Sequence, residues 1–152
     1  MINSRNIDDL DPIPRAICRS HIVACANRGI EIIVTSTYRD GESQEQLWQI
    51  GRLPDDTRKH VTNARAGHSW HNFRCAWDVV PVVAGKAVWD AKDPAWQLVI
   101  EAGLAVGAEA GARWKTFPDL PHFQVRPREG ETFIELAEAN TRFTANGTIF
   151  SV

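Results

Sequence analysis

The chain has 152 residues, of which 43% are hydrophobic and 24% charged, and its formal net charge is −2. This size and composition predict a single soluble domain over residues 1–152 with a core of its own. The balanced charge and the absence of a basic block exclude broad attraction to nucleic acid. No apolar run approaches the roughly 18 residues of a membrane span, so we expect no membrane insertion.

The first half of the chain predicts two helices, a strand and a long loop. Apolar residues on one helical face predict a helix over 14–28. The β-branched segment after it predicts a strand over 30–38. Asp40 is a suitable cap for a short helix over 42–50. The polar segment 52–69 shows no periodicity, and a loop of that length in a compact domain is typically functional or mobile, so we expect it to be mobile without substrate.

The second half mixes strands and helices. "CAWDVVPVV" predicts a strand over 75–83, and "AVWD" a short one over 87–90. Asp-Pro at 93–94 predicts the start of a helix that runs to about residue 110. A further strand is predicted over 122–126 and a last helix over 131–139. Because β-α-β alternation is missing, the order favours an α+β fold with a small antiparallel sheet and flanking helices.

One carboxylate is out of place in this pattern. Asp78 lies within an apolar strand, where a carboxylate is costly unless it is paired or binds a metal. His71 precedes it by seven residues, which corresponds to two turns of a helix or to opposite faces of a strand. An ion shared by the two side chains therefore requires His71 on a loop that folds back beside the strand.

A third ligand could come from the predicted strand that begins at His122, three residues after Asp119. A catalytic zinc keeps three protein ligands and one open position, and a free carboxylate nearby can act as general base. The residues alone leave an alternative open, in which Asp78 is hydrogen-bonded to the backbone and the histidines pack or face water. His21, inside the first helix, is predicted to be a core or boundary residue.

Three segments resemble one protein family. "SWHNFRCAWD" is similar to the Ser-x-His-x-x-Gly-x-Ala-x-Asp signature of zinc D,D-peptidases of the vancomycin-resistance carboxypeptidase type. "PDLPHFQ" resembles the Asp/Glu-x-x-His segment downstream of it, and "TSTYRDGESQEQLW" the upstream Ser-x-Tyr-Arg stretch. "GHSWHN" and "WKTFPDLPHFQV" are most similar to small phage endolysins that act as L-alanyl-D-glutamate peptidases. The resemblance covers residues 30–126 and implies a hedgehog/D,D-peptidase-like fold.

The resemblance also implies a set of site residues. By position in the motifs, His71, Asp78 and His122 would bind zinc, and Asp119 would be the catalytic base. Arg39 would stand near the scissile carbonyl, where its fixed positive charge would stabilise the oxyanion.

Two further residues are expected to bind substrate or to shape the site. Ser69 matches the signature serine, although a loop hydroxyl with no such role is an alternative. Arg74 stands where the family has glycine. If that position needs a positive φ, an arginine there is strained by about 1 kcal/mol; otherwise Arg74 could reach a substrate carboxylate or remain solvated.

The implied function is that of a phage endolysin, a monomeric zinc-dependent L-alanyl-D-glutamate endopeptidase that hydrolyses the peptidoglycan stem peptide. The N-terminal sequence has no signal-peptide pattern, so we expect synthesis in the host cytoplasm and release through a separate membrane pore. No separate cell-wall-binding domain is expected. Two alternatives stay open, namely a D-alanyl-D-alanine carboxypeptidase or dipeptidase and a non-catalytic zinc-containing cell-wall binding module.

Overall fold

A computed structural model describes residues 1–150. Within these residues four helices and five strands follow one another, joined by loops and short 3-10 turns. They are α1 Pro12–Asn27, β1 Glu31–Ser36, α2 Gly41–Gln49, β2 Ala76–Val83, β3 Lys86–Ala87, α3 Ala95–Ala105, β4 Glu109–Ala110, β5 His122–Gln124 and α4 Leu136–Asn146. Within residues 1–150, none of the helices combines the length and the hydrophobicity needed to cross a membrane.

The sheet is antiparallel throughout, which confirms the predicted α+β class. Its strand order is β1-β2-β5-β4, with β3 paired to β2. Strand side chains alternate between the two faces. On one face Trp77, Val79 and Phe123 pack against the helices and form the main core together with Cys18 of α1 and Val99 of α3. The opposite face is therefore free to carry polar side chains of β2 and β5.

Close packing of α3 fixes the position of β5. A Cβ atom on Gly103 of α3 would lie 2.5 Å from the Phe123 ring, a separation that real Cβ atoms do not show. His21 of α1 also packs on that ring, at 4.4 Å between centroids. The histidine is fully buried, as the sequence predicted for a core residue.

The predicted elements are present, but several bounds were wrong. The helix expected to reach residue 110 ends at Ala105, because Gly107 adopts a φ of 94° and the chain then pairs with β5 as β4. The strand expected over 87–90 is only Lys86–Ala87. Residues 52–69 contain turns without regular helix or strand, and their mobility stays a prediction.

The last helix also begins later than the sequence predicted. It starts at Leu136 instead of 131. The preceding stretch is non-helical because Ile134 is buried in a second core cluster with Trp70 and Phe150, while Glu131 accepts hydrogen bonds from Arg142 of α4. Tertiary contacts thus override the local helical tendency.

Candidate active site

Three polar side chains form a row across the sheet. Asp78 of β2 lies opposite His122 of β5 on one side and opposite Ser36 of β1 on the other. Residues directly opposite one another in antiparallel strands share a face. A bulge between Val34 and Ser36 adds a residue to β1 and bends it at this point.

The remaining histidine comes from the 3-10 turn Trp70–Phe73. Ser69 caps this turn, since its hydroxyl accepts a hydrogen bond from the His71 amide at 3.4 Å. Asn72 ties the turn to the segment after β1 by donating to the Arg39 carbonyl at 2.8 Å. The structure therefore holds His71 on a segment folded back beside β2, as a shared ion would require.

The three donor atoms are close enough to bind one ion. His71 Nε2 lies 3.2 Å from Asp78 Oδ1 and 3.2 Å from His122 Nδ1, and the last two atoms are 3.3 Å apart. Zinc bonds of about 2.0–2.1 Å imply donors roughly 3.3 Å apart at the corners of a tetrahedron. Two imidazoles and one carboxylate are also a donor set that zinc prefers. The residues present thus fit a zinc ion.

Hydrogen bonds on the far side of each ring fix the tautomers. His71 Nδ1 lies 2.6 Å from the Thr37 carbonyl oxygen, and His122 Nε2 lies 2.8 Å from Gln124 Oε1. Because each of these oxygens accepts only, the facing ring nitrogen must carry the proton and donate. The other nitrogen of each ring then has a free lone pair, and in both cases this nitrogen faces Asp78.

Electrostatics favour an ionised carboxylate at this point. Burial alone would raise the pKa of Asp78, but the adjacent His71 and His122 hold it well below its usual range. Burial would likewise lower the pKa of His122, yet its contact with Asp78 raises it. The cluster is therefore a concentrated negative charge flanked by two imidazoles, which suits a divalent cation.

Arg39 lies on the other side of the same carboxylate. Arg39 is 8% exposed, and its Nη2 lies 3.5 Å from Asp78 Oδ2, the oxygen that does not face the histidines. It donates to Gln44 Oε1 at 2.9 Å and to Ser36 Oγ at 3.1 Å. Burial lowers the pKa of Arg39, while the charges of Asp78 and Asp119 raise it. An arginine remains charged under these conditions.

A cavity of about 450 Å³ opens over these groups. Its lining includes Arg39, Ser69, His71, Asp78, Asp119 and His122. Burial raises the pKa of Asp119, the neighbouring Asp78 adds to the rise, and His122, His71 and Arg39 oppose it. A carboxyl group with a raised pKa, placed in a cavity beside a cluster that could hold a metal ion, suits proton transfer.

Arg74, in contrast, is not among the described residues that line the cavity. Its guanidinium lies over the Tyr38 ring at 3.9 Å and donates to the Asp9 carbonyl at 2.8 Å. Its backbone is left-handed, with φ 63° and ψ 28°. The position thus has the conformation that favours glycine, and the substrate contact expected of Arg74 gains no support from this geometry.

Several supporting residues were missed at the sequence level. Gln124 follows His122 by two residues on a strand, so alternation alone could have placed both side chains on one face. Trp114 lines the cavity and packs on His122 at 5.0 Å between centroids. Gly111 lies under the Asp119–His122 segment, where a Cβ atom would be 2.5 Å from the Asp119 carbonyl oxygen. No sequence pattern indicated the last two contacts.

Comparisons with known proteins show which family the chain belongs to. A family model of the M15 peptidases, described as D-alanyl-D-alanine carboxypeptidase, matches residues 62–125. The peptidoglycan L-alanyl-D-glutamate endopeptidase CwlK of Bacillus subtilis is 33% identical over 129 residues, covering 78% of this chain and 75% of CwlK. The chain belongs to the M15 peptidase family. It is therefore a peptidase of metallo type, which confirms the enzyme class and the family predicted from the motifs.

A solved M15-type structure shares the fold. The L-Ala D-Glu endopeptidase ChiX of Serratia marcescens aligns with a TM-score of 0.60 at 22% identity, over 82% of this chain and 89% of ChiX. At that identity the likeness concerns the fold, and it agrees with the small antiparallel sheet and flanking helices predicted from the sequence.

Proposed function

We propose that this M15 peptidase is a zinc-dependent endopeptidase that hydrolyses the L-alanyl-D-glutamate bond of the peptidoglycan stem peptide. The observation that carries the proposal is the convergence of His71 Nε2, Asp78 Oδ1 and His122 Nδ1 within a cavity that Arg39 and Asp119 also line. The names of CwlK and ChiX, which both specify this bond, support it as the one cleaved.

In this mechanism His71, Asp78 and His122 would hold the metal. When bound, zinc supplies a Lewis acid and lowers the pKa of water toward about 7. Asp119 accepts the proton of the attacking water and delivers it to the leaving amine. Its raised pKa brings the carboxylate closer to the operating pH, where it can both take up and release that proton.

Arg39 stabilises the negative charge that develops on the carbonyl oxygen. Its two terminal nitrogens are held by Gln44, Ser36 and Asp78, so the guanidinium does not have to be ordered when substrate binds. Arg39 Nε is buried and has no acceptor among residues 1–150. Because this atom has almost no exposed surface, the carbonyl oxygen has to be met by the terminal nitrogens of the guanidinium.

The charged residues that line the cavity favour cleavage of an internal peptide bond over removal of a C-terminal residue. A carboxypeptidase has to bind the terminal carboxylate of its substrate, and an uncommitted cation in the cavity would favour such binding. Two arginines are among the described residues that line the cavity, and each already has a carboxylate partner. Arg39 faces Asp78, and Arg126 forms two hydrogen bonds with Glu109 at 2.7 and 2.8 Å.

The test is to incubate the zinc-loaded protein with defined stem peptides and to identify the products by mass spectrometry. Separation of L-Ala from the remainder supports the proposal, release of terminal D-Ala indicates the carboxypeptidase alternative, and no cleavage indicates a non-catalytic module. Asp119→Asn should lower kcat by about 10²–10⁴-fold with unchanged zinc content. Asp55→Asn, the same change at an exposed aspartate, should leave kcat unchanged.

The proposal extends to host lysis by a phage. The resemblance of "GHSWHN" and "WKTFPDLPHFQV" to small phage endolysins supports this role. The single domain would be made in the host cytoplasm, act as a monomer and reach the wall through a separate membrane pore. Expression in bacteria with and without a pore-forming protein tests it, since lysis should require both. Intact cells under co-expression, with stem-peptide cleavage retained in vitro, would argue for another biological role.

A further inference from the structure

Gln44 contacts both the proposed oxyanion-stabilising arginine and a wall of the cavity. It lies on α2 and is completely buried. Its Oε1 accepts from Arg39 Nη1 at 2.9 Å, and its Nε2 donates to the Ala64 carbonyl at 2.7 Å. A guanidinium only donates and a carbonyl only accepts, so the amide can have one orientation alone. Both ends of this side chain are thus committed, to two different parts of the site.

The Ala64 side of the contact belongs to the wall segment, which we define as residues 61–64. All four of its residues line the cavity. Arg52 also ties this segment to the rest of the protein, since it donates to the Thr62 carbonyl at 3.1 Å and to Asn63 Oδ1 at 3.1 Å. Arg52 lies near the surface, whereas Gln44 holds the wall segment from the interior.

The contact of Gln44 with Arg39 orients a charged guanidinium inside the protein. Arg39 Nη2 donates to Ser36 and Asp78, whereas Nη1 donates to Gln44. Without Gln44 the guanidinium could rotate about its bond to the side chain. The terminal N–H groups of Arg39 would then point in a different direction.

We propose that Gln44 is a positioning residue that holds the Arg39 guanidinium and the wall segment in one arrangement. The inference rests on the proposed function, because it assigns Gln44 a share in orienting Arg39 toward the substrate carbonyl. Outward movement of the wall segment breaks the bond to Ala64 and leaves the amide of Gln44 with a single partner. Entry of substrate and orientation of Arg39 are therefore linked through this one side chain.

Two substitutions separate the two contacts. Gln44→Glu keeps an acceptor for Arg39 but places a carboxylate oxygen against the Ala64 carbonyl. It should speed amide hydrogen exchange in the wall segment and raise KM about tenfold, with kcat near that of the wild type. Gln44→Met keeps the volume and removes both contacts. It should show the same exchange and KM changes together with a fall in kcat of about tenfold.

Gln46 offers a matched control, since it is an exposed glutamine on the same helix. Gln46→Glu and Gln46→Met should leave both exchange and kinetics unchanged. Equal kcat values for the two Gln44 variants, or wall-segment exchange as slow as in the Gln46 variants, would overturn the proposal. If the wild type cleaves no stem peptide, it is the proposed function that fails, and the exchange measurement still reports on the wall contact.

Discussion

His122 lies directly opposite Asp78 across the β2–β5 strand pair, with Nδ1 and Oδ1 3.3 Å apart. The register of a hydrogen-bonded sheet thus sets the distance between two of the three proposed metal ligands. The third, His71, is held by the Thr37 carbonyl at the end of β1. The donor atoms are therefore assembled by the fold itself, which reduces the reorganisation that metal binding requires.

Zinc should stabilise the folded protein, because it binds an assembled site that the unfolded chain lacks. Free zinc at a hundredfold excess over its dissociation constant should add about 2.7 kcal/mol to the free energy of unfolding. Urea denaturation with zinc and with a chelator measures the difference. His122→Ala should abolish it, and an equal zinc effect in this variant would place the ion elsewhere.

Gly111→Ala should damage the site without changing any residue that contacts substrate. The added Cβ would lie 2.5 Å from the Asp119 carbonyl oxygen and 3.0 Å from His122 Cβ, so the segment carrying both residues has to move. We expect a loss of about 1–3 kcal/mol in unfolding free energy and roughly a hundredfold lower kcat/KM. Gly41→Ala is the control, because its Cβ would make an ordinary contact of 3.5 Å with Ala66. Equal effects of the two substitutions would exclude the steric explanation.

Arg74→Gly should be more stable than Arg74→Ala by about 1 kcal/mol. Both variants lose the contact with Tyr38 and the bond to Asp9, but only alanine is strained at a φ of 63°. Urea denaturation of the two variants gives the comparison. Because Arg74 does not line the cavity, KM for stem peptides should stay near the wild-type value. A large rise in KM would instead support the substrate-binding role predicted from the sequence.

His21 should make the protein less stable in mild acid. Its Nδ1 accepts from the Trp77 indole at 3.2 Å, so its Nε2 must donate to the Val99 carbonyl, and the buried ring is neutral. Burial lowers the pKa of His21 below 6.5, only partly offset by the bond to Val99. The neutral ring's contribution is complete above that pH and is lost as the pH falls below it, by up to about 1.4 kcal/mol per pH unit.

The measurement is the free energy of unfolding in urea between pH 7.5 and 5.5, with chelator present. His21→Gln should show a shallower pH dependence than the wild type, since every other titratable group is the same in the two proteins. Parallel curves for the two proteins would mean that His21 does not titrate as the structure indicates.

The sequence was most informative where a residue conflicted with its surroundings. Asp78 in an apolar strand and His122 beside a predicted strand start identified the two ends of the site, and the motifs placed Asp119 and Arg39 with them. The contacts of Gln44 were not predictable, because the partner Ala64 offers a backbone carbonyl that every residue has. The start of the last helix at Leu136 was missed because distant packing decides it, and the end of α3 at Ala105 was missed because the positive φ of Gly107 ends the helix early.

The two histidine supports differ in kind. His71 donates to the main-chain oxygen of Thr37, which every substitution at position 37 retains. His122 instead donates to the Gln124 side chain. A single substitution at position 124, for example of the amide by a carboxylate, can therefore change the basicity of the His122 imidazole. The hydrogen bond of His71 stays the same. Natural variation in metal affinity among close relatives should accordingly concentrate at position 124.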